Sequence, residues 1–434
     1  MSFGRNRGLS ELPAVRPWRP ARSSGYRRLD PVRPALRPGG MVFGPAVRRG
    51  SLWRRALGRD SLLRHVDWVL VLVVLGLALI GTLLVWSATA PGLAQVGANT
   101  HAYLDRQLLV VAVGLMLMVG VSLLDYRVLR MLAPFAYAAG LLGLLAVLSP
   151  LGTTINGSHS WIPLPGGFQV EPSEYAKLGL ILMIALIFGS SPDRAPRQGL
   201  RQLALALAAT VPLVGLVVAE PDLGVVVILV VISGGMITLS GVRLRWLGGL
   251  AAAGVLGIVA VLKLHLLKAY QAGRLTSFLH PSANPQGTGW QAYQAKIAIG
   301  SGGMFGHGLF HGQLTAGSFL GSYSFQGTDF IFAVAGEELG FVGCVTIVVL
   351  LGLLTFRAVR IAARADDLFG LLTAAGVAVW FAVQAFINIG MTLGIAPVTG
   401  IPLPFVSYGG SAMFADMIAV GLLQSVHRRH HVFR

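Results

Sequence analysis

The chain has a single cysteine, Cys344, inside an apolar run, which excludes a disulfide framework and a cysteine-based metal site. Charge is scarce as well: 12% of the 434 residues are Asp, Glu, Lys or Arg, 17 of them acidic and 34 basic. The H-E-x-x-H and Asp-rich strings of metal sites are missing. So are the Gly-Lys-Ser/Thr ending of a nucleotide-binding loop and the internal repeat of inverted-repeat transporters. Nor does a secretory leader open the sequence, because Arg, Pro and Gly fill some 60 residues before any apolar stretch. Apolar surface is abundant instead. Hydrophobic residues make up 54% of the chain and the mean hydropathy is +0.71, values that belong to membrane proteins and not to soluble domains.

Apolar runs long enough to cross a bilayer occur near 67–90, 107–124, 132–150, 175–190, 202–219, 223–240, 246–264, 330–356, 369–395 and 406–426. They predict an all-α, polytopic integral membrane protein with about ten transmembrane helices spread over 67–426. Residues 1–66 are expected to form a disordered Arg/Pro-rich cytoplasmic tail, and 427–434 a basic cytoplasmic one. Loop charges agree with this topology. Arg127 and Arg130, Arg194, Arg197 and Arg201, Arg243 and Arg245, and Arg357, Arg360 and Arg364 alternate with loops at 151–174, 220–222 and 396–405 that hold no Lys or Arg. Both termini are therefore expected in the cytoplasm. The net charge of +17 resembles that of a nucleic-acid binder, but fifteen of the basic residues lie in the first 66 positions. That tail reads as orienting charge or a contact with membrane lipids, with no nucleic-acid partner. One extracytoplasmic loop, 265–328 between helices 7 and 8, is too long for a connector. Within it, 290–300 has the character of an interfacial helix.

Charges at the edges of apolar spans are costly, so each is a candidate for function. On the outer side these are Glu171, Glu174 and Lys177 at the start of the fourth span, Glu220 and Asp222 between spans five and six, and Asp329 at the head of span eight. Glu337 and Glu338 lie about two turns deeper. Each has a plain structural alternative. Glu174 and Lys177, three residues apart, can form an ion pair. Glu220 and Asp222 can be a polar turn with Asp222 capping the sixth span. Glu337 and Glu338 point in different directions and read as internal structure. Asp329 is equally well placed to cap span eight. The run Gly300-Ser301-Gly302-Gly303 can expose backbone N–H groups to an anion.

Five strings occur here in a familiar order: Pro172-Ser173-Glu174-Tyr175-Ala176-Lys177, Glu220-Pro221-Asp222-Leu223-Gly224, Lys296 through Gly303, Thr328-Asp329-Phe330 through Gly340, and Pro402-Leu403-Pro404-Phe405-Val406-Ser407-Tyr408-Gly409-Gly410-Ser411. Together they resemble the SEDS family (shape, elongation, division and sporulation) over about 67–426. Tyr270-Gln271 through Arg274, Ile297 through Gly300 and His311-Gly312 are closer to its elongation members than to its division members. The resemblance implies a peptidoglycan glycosyltransferase that polymerises lipid II at the outer face of the cytoplasmic membrane. It also implies a class B penicillin-binding protein and other elongation-complex proteins as partners. In the family the aspartate of the Thr-Asp-Phe string is essential, which makes Asp329 the expected catalytic base. Lys177, Arg274 and Lys296, with Arg106 behind them, are then candidates to meet the substrate's phosphates. Glu174, Ser301, Gly302, Gly303, Ser407, Gly409 and Gly410 are further substrate-binding candidates, while Glu220, Asp222, Glu337 and Glu338 support the site. No cofactor is required, although Mg or Mn can bridge a carboxylate and a pyrophosphate. The chain departs from the family pattern at 321–327, at Ser160 beside Trp161 and at Glu171. Two other functions are compatible with the same residues: a flippase for lipid-linked precursors, whose buried acids bind protons or substrate, and a scaffold that holds a penicillin-binding protein.

Overall fold

The computed structural model describes residues 66–155, 158–165, 168–190, 199–263, 273–274, 278, 288–312 and 327–432. The expectations for the tail before residue 66, for Arg194 and Arg197, for Tyr270-Gln271 and for the lead-in at 321–326 fall outside them.

Among the described residues the chain is helical, with one small sheet. Its elements are α1 (Trp68–Gln95), α2 (Ala102–Leu123), α3 (Tyr126–Val147), β1 (Thr153–Ile155), β2 (Ser158–Pro163), β3 (Gln169–Val170), α4 (Pro172–Gly189), α5 (Leu200–Ala219), α6 (Leu223–Leu239), α7 (Leu244–Lys263), α8 (Thr288–Ser301), α9 (Ile331–Glu338), α10 (Gly340–Arg364), α11 (Leu368–Leu393) and α12 (Gly410–Val432). Nine of the ten apolar runs each correspond to one helix, and the run at 330–356 to two. Among the described residues seven helices are both long and apolar enough to cross a membrane, and α6 and the first part of α7 are shorter apolar helices. The protein is a polytopic helical membrane protein.

Local chemistry sets the helix ends. Asp67, Asp125, Asp222 and Asp367 each accept a bond from a backbone N–H in the first turn of α1, α3, α6 and α11, supplying acceptors that the helix itself lacks. Small residues then set the packing, because lipid provides no hydrophobic drive between helices and close backbone approach must replace it. A side chain at Gly140 or Gly179 would collide with the α4 or α3 backbone opposite, and one at Gly114 or Gly421 would collide where α2 meets α12. The central helices are α4 and α11, the most deeply buried of the spans. Gly376 of α11 packs against Ile181 of α4.

Two features differ from the sequence reading. The span expected at 330–356 is broken: α9 ends at Glu338 and α10 begins at Gly340, whose φ of +66° turns the chain. The Gly-rich run after α8 fits against this break. His307 and Gly308 donate to the carbonyls of Glu337 and Glu338 at 3.0 Å, and Phe341 donates to the carbonyl of Gly303 at 2.9 Å. A side chain at Gly302 would strike the carbonyl of Gly336. Gly302 therefore serves close backbone packing, while a Cβ at Gly300 or Gly303 would meet nothing within 4 Å. The second difference is the antiparallel meander β1-β2-β3 in the connection before α4, joined to the α5–α6 turn by the Ser158 hydroxyl, which donates to the Glu220 carbonyl at 3.0 Å.

Candidate functional site

Asp329 lies in the turn that leads into α9, and it does not cap that helix: the N-cap is Phe330, with no side-chain cap bond. Three consecutive backbone carbonyls hold the turn. Tyr408 N–H donates to Gly327 at 2.8 Å, the Ser407 hydroxyl to Thr328 at 2.6 Å, and the Asn388 amide to Asp329 at 2.9 Å. Asn388 also donates to the Ile401 carbonyl at 2.7 Å, and Ser407 accepts from Leu403 N–H at 2.8 Å. The α11 helix and the 396–409 loop thereby fix the backbone on which the Asp329 carboxylate is mounted, the preorganisation that a reacting group needs.

Asp329 is half-buried, and its carboxylate faces Gly400. A Cβ placed on Gly400 would lie 3.5 Å from Asp329 Oδ2 and 3.8 Å from an Arg274 guanidinium nitrogen. Gly400, at φ +80°, thus marks the gap where acid and guanidinium converge. Arg274 is anchored there by donating to the Thr399 carbonyl at 2.8 Å. Burial pushes the Asp329 carboxyl up to about 6, while the Thr328 hydroxyl and Arg274 pull it down and Asp222 adds to the rise. The outcome is an acid ionised at neutral pH yet more basic than an ordinary aspartate.

Around it lies a set of buried carboxylates. Asp222 caps α6 through Val225 N–H at 3.1 Å, as the turn reading allowed, and burial raises its pKa while that bond and Arg274 lower it. Glu220 is fully buried with no hydrogen-bond partner for either carboxylate oxygen. Burial, followed by the charge of Asp222, lifts it to about 8. Glu171 is buried with its side chain on the Ser173 hydroxyl, and burial, then Glu174, holds it well above the usual range.

Glu174 and Lys177 are fully buried and paired at 2.7 Å. Lys177 also donates to Gln384 at 2.9 Å and lies 4.6 Å from the centre of the Trp380 ring. Gln384 in turn donates to the Pro402 carbonyl at 3.0 Å, and Asp416 accepts from Phe405 N–H at 3.3 Å. This network binds α4, α11 and α12 to the loop that faces Asp329. Its location gives Glu174 and Lys177 a supporting position beneath the site and not an exposed one. Lys296 is exposed and lies over Gly394, at the end of α11. Ser301 is exposed and bonds within its own helix, to Ala298 at 2.8 Å. Gly410 begins α12 and Gly409 directly precedes it. Glu337 and Glu338 are buried in α9, and Glu338 accepts from Ser87 of α1 at 2.7 Å.

The sequence reading did not single out Trp380, Gln384, Asn388 or Asp416. A signal was available for the first three: they recur at i, i+4 and i+8 within an otherwise apolar span, which places them on one helix face. Among the described residues, no three His, Cys, Asp or Glu side chains are grouped to hold a metal ion.

The family profile described as "Cell cycle protein", which covers FtsW, RodA and SpoVE, matches residues 67–432. A relative in Trichlorobacter lovleyi, named a probable peptidoglycan glycosyltransferase FtsW, is 34% identical over 365 residues, covering 84% of this chain and 93% of its own. One in Escherichia coli, named peptidoglycan glycosyltransferase MrdB, is 37% identical, covering 84% and 94%. Among solved structures, a chain in work described as the structural coordination of polymerization and crosslinking by a peptidoglycan synthase complex superimposes with a TM-score of 0.67. It is 32% identical and covers 84% of this chain and 98% of that one.

Proposed function

The chain belongs to the FtsW/RodA/SpoVE family and is a peptidoglycan glycosyltransferase, in which we propose that Asp329 is the general base. In this reading an acceptor sugar and a donor linked to a lipid pyrophosphate meet at Gly400. The acceptor hydroxyl loses its proton to the Asp329 carboxylate as its oxygen attacks the anomeric carbon of the donor. The bond from that carbon to the pyrophosphate oxygen breaks, and undecaprenyl pyrophosphate leaves with the electron pair. A single displacement inverts the anomeric centre, and a leaving group this good needs no second carboxylic acid.

The observation that carries the proposal is the mounting of Asp329, with three backbone carbonyls tied down and the carboxylate at the Gly400 gap beside Arg274. Arg274 and the exposed Lys296 are the cations assigned to the phosphates. Were Mg or Mn to take part, Asp329 would be the residue to hold it and the ion would offset pyrophosphate charge, which titrating the reaction with a chelator tests. The reading places Asp329 on the extracytoplasmic side and both termini in the cytoplasm, with a class B penicillin-binding protein as partner. That partner is supported by the likeness to a chain of a peptidoglycan synthase complex. The elongation role rests on the loop strings, since relatives with division and elongation names match at 34% and 37% identity.

The test is polymerisation of lipid II by the full chain with its penicillin-binding protein, the partner's own activities disabled. Wild type should make glycan strands and Asp329→Ala should make none while melting normally. Normal polymer from Asp329→Ala removes the base assignment. Transfer of lipid II between leaflets without polymer would instead make the protein a flippase.

A further inference from the structure

The end of the bundle opposite Asp329 holds a cavity of about 700 Å3, lined among others by Arg127, Arg130, Arg428 and Arg429 with Ser122 and Ser425. Its cations are only partly offset. Arg429 pairs with Asp367 at 3.5 Å, and Asp125 also lines the cavity. Arg130 and Arg428 donate to the backbone carbonyls of Gly189 and Ser122, neutral acceptors that orient a guanidinium without cancelling its charge. Arg127 is exposed. Four cations thus face two carboxylates, and the cavity keeps a positive balance.

Leu124 lines this cavity and also a second one, a groove of about 500 Å3 between α2, α3, α4 and α12. The groove passes Ala139, Gly143, Leu178 and Ile418 toward Pro172 at the far end of the span, and its lining is almost wholly apolar. Small residues keep it open on the α3 side. An arginine-rich cup continuous with an aliphatic trough matches one ligand shape: an anionic head with a hydrocarbon chain.

We propose that this end binds an anionic phospholipid of the cytoplasmic leaflet, its phosphate in the arginine cup and an acyl chain in the groove. The proposal rests on the loop-charge orientation and not on the role of Asp329. Basic pockets between transmembrane helices on the cytoplasmic side are suited to such headgroups, and the planar guanidinium donates in pairs to phosphate oxygens. A peptide would be a poor occupant, because the groove offers its backbone almost no hydrogen-bonding groups. Free phosphate would leave the groove unused.

The test titrates the full chain in neutral detergent with fluorescent phosphatidylglycerol, and with phosphatidylcholine of the same chain length. Wild type should prefer phosphatidylglycerol. Combined Arg127→Gln and Arg428→Gln should weaken that binding by about thirtyfold and leave phosphatidylcholine unchanged, at the usual contribution of an arginine near a charged lipid surface. Arg127→Gln alone, an exposed position that should not disturb folding, should weaken it by about fivefold. The paired Lys substitutions should retain most of it. Equal binding of the two lipids would overturn the proposal. So would undiminished phosphatidylglycerol binding by the Gln variants, which would assign the lipid to the N-terminal arginines. Inorganic phosphate competing as tightly as the lipid would also overturn it, by removing the groove from the site.

Discussion

At the arginine-rich end of the bundle, Asp67 of the α1 cap accepts from Arg357 of α10, at 2.9 Å from its Nε, and Asp367 of the α11 cap meets Arg429 of α12. At the opposite end, Glu171, Glu220, Asp222 and Asp329 have their proton affinities raised. The carboxylates of the first end are neutralised by contact and act as rivets between helices distant in sequence. Those of the second end are held where burial disfavours their charge, which costs stability and raises their proton affinity. Stability is gathered at one end and chemistry at the other.

The comparison breaks if the acids of the two ends respond alike to substitution. The largest expected effect is at Asp329: Asp329→Asn should slow lipid II polymerisation by about 10² to 10⁴-fold, with the melting temperature unchanged. Next is Lys177→Met, which strands the buried Glu174 carboxylate and should cost roughly 3–5 kcal/mol in unfolding measurements, whereas replacing both partners by apolar residues should cost far less. At the arginine-rich end, Arg357→Gln removes charged hydrogen bonds to a buried Asp67 and should cost about 1.5–3 kcal/mol without changing turnover per folded molecule.

A pH profile sharpens the contrast further. The Asp329 carboxyl titrates near about 6 and must be ionised to accept a proton, so turnover should rise with pH through that value and fall by about tenfold per unit below it. The smallest effect belongs to Glu220→Gln. Because folding raises the Glu220 carboxyl from 4.5 to about 8, the group is neutral in the folded chain at pH 7. Its contribution to stability is complete below the unfolded pKa and is lost as pH rises through the folded one. The Gln variant should therefore melt less pH-dependently than wild type between pH 5 and 9, with turnover at pH 7 nearly unchanged.

Much of this architecture was legible in the sequence. The apolar runs and the alternation of Arg-bearing loops locate the long helices, because a bilayer imposes length and charge rules that act locally. The break at Leu339-Gly340 was marked only by Glu337, Glu338 and the glycines at 336 and 340, set between two apolar stretches, and the backbone at Gly340 reveals the turn. The β1–β3 meander was hidden as well: its strands are two to six residues long and carry little periodic signal. At the site, Asp329 stood out as a charge at a span edge and through the Thr-Asp-Phe string. Its setting did not. Asn388, Gly400 and Ser407 lie some sixty to eighty residues further along the chain, and Arg274 approaches from the other side. Whether burial or a neighbouring cation governs its proton affinity is a three-dimensional question, and in the fold burial prevails.

The most direct test of the central claim is which side of the membrane each end faces. In intact spheroplasts of a Cys344→Ser background, a membrane-impermeant maleimide should label Asp329→Cys at once, and label Arg127→Cys only after the membrane is permeabilised. Labelling of Asp329→Cys only after permeabilisation would put the carboxylate on the cytosolic side, away from the growing wall, and contradict the account.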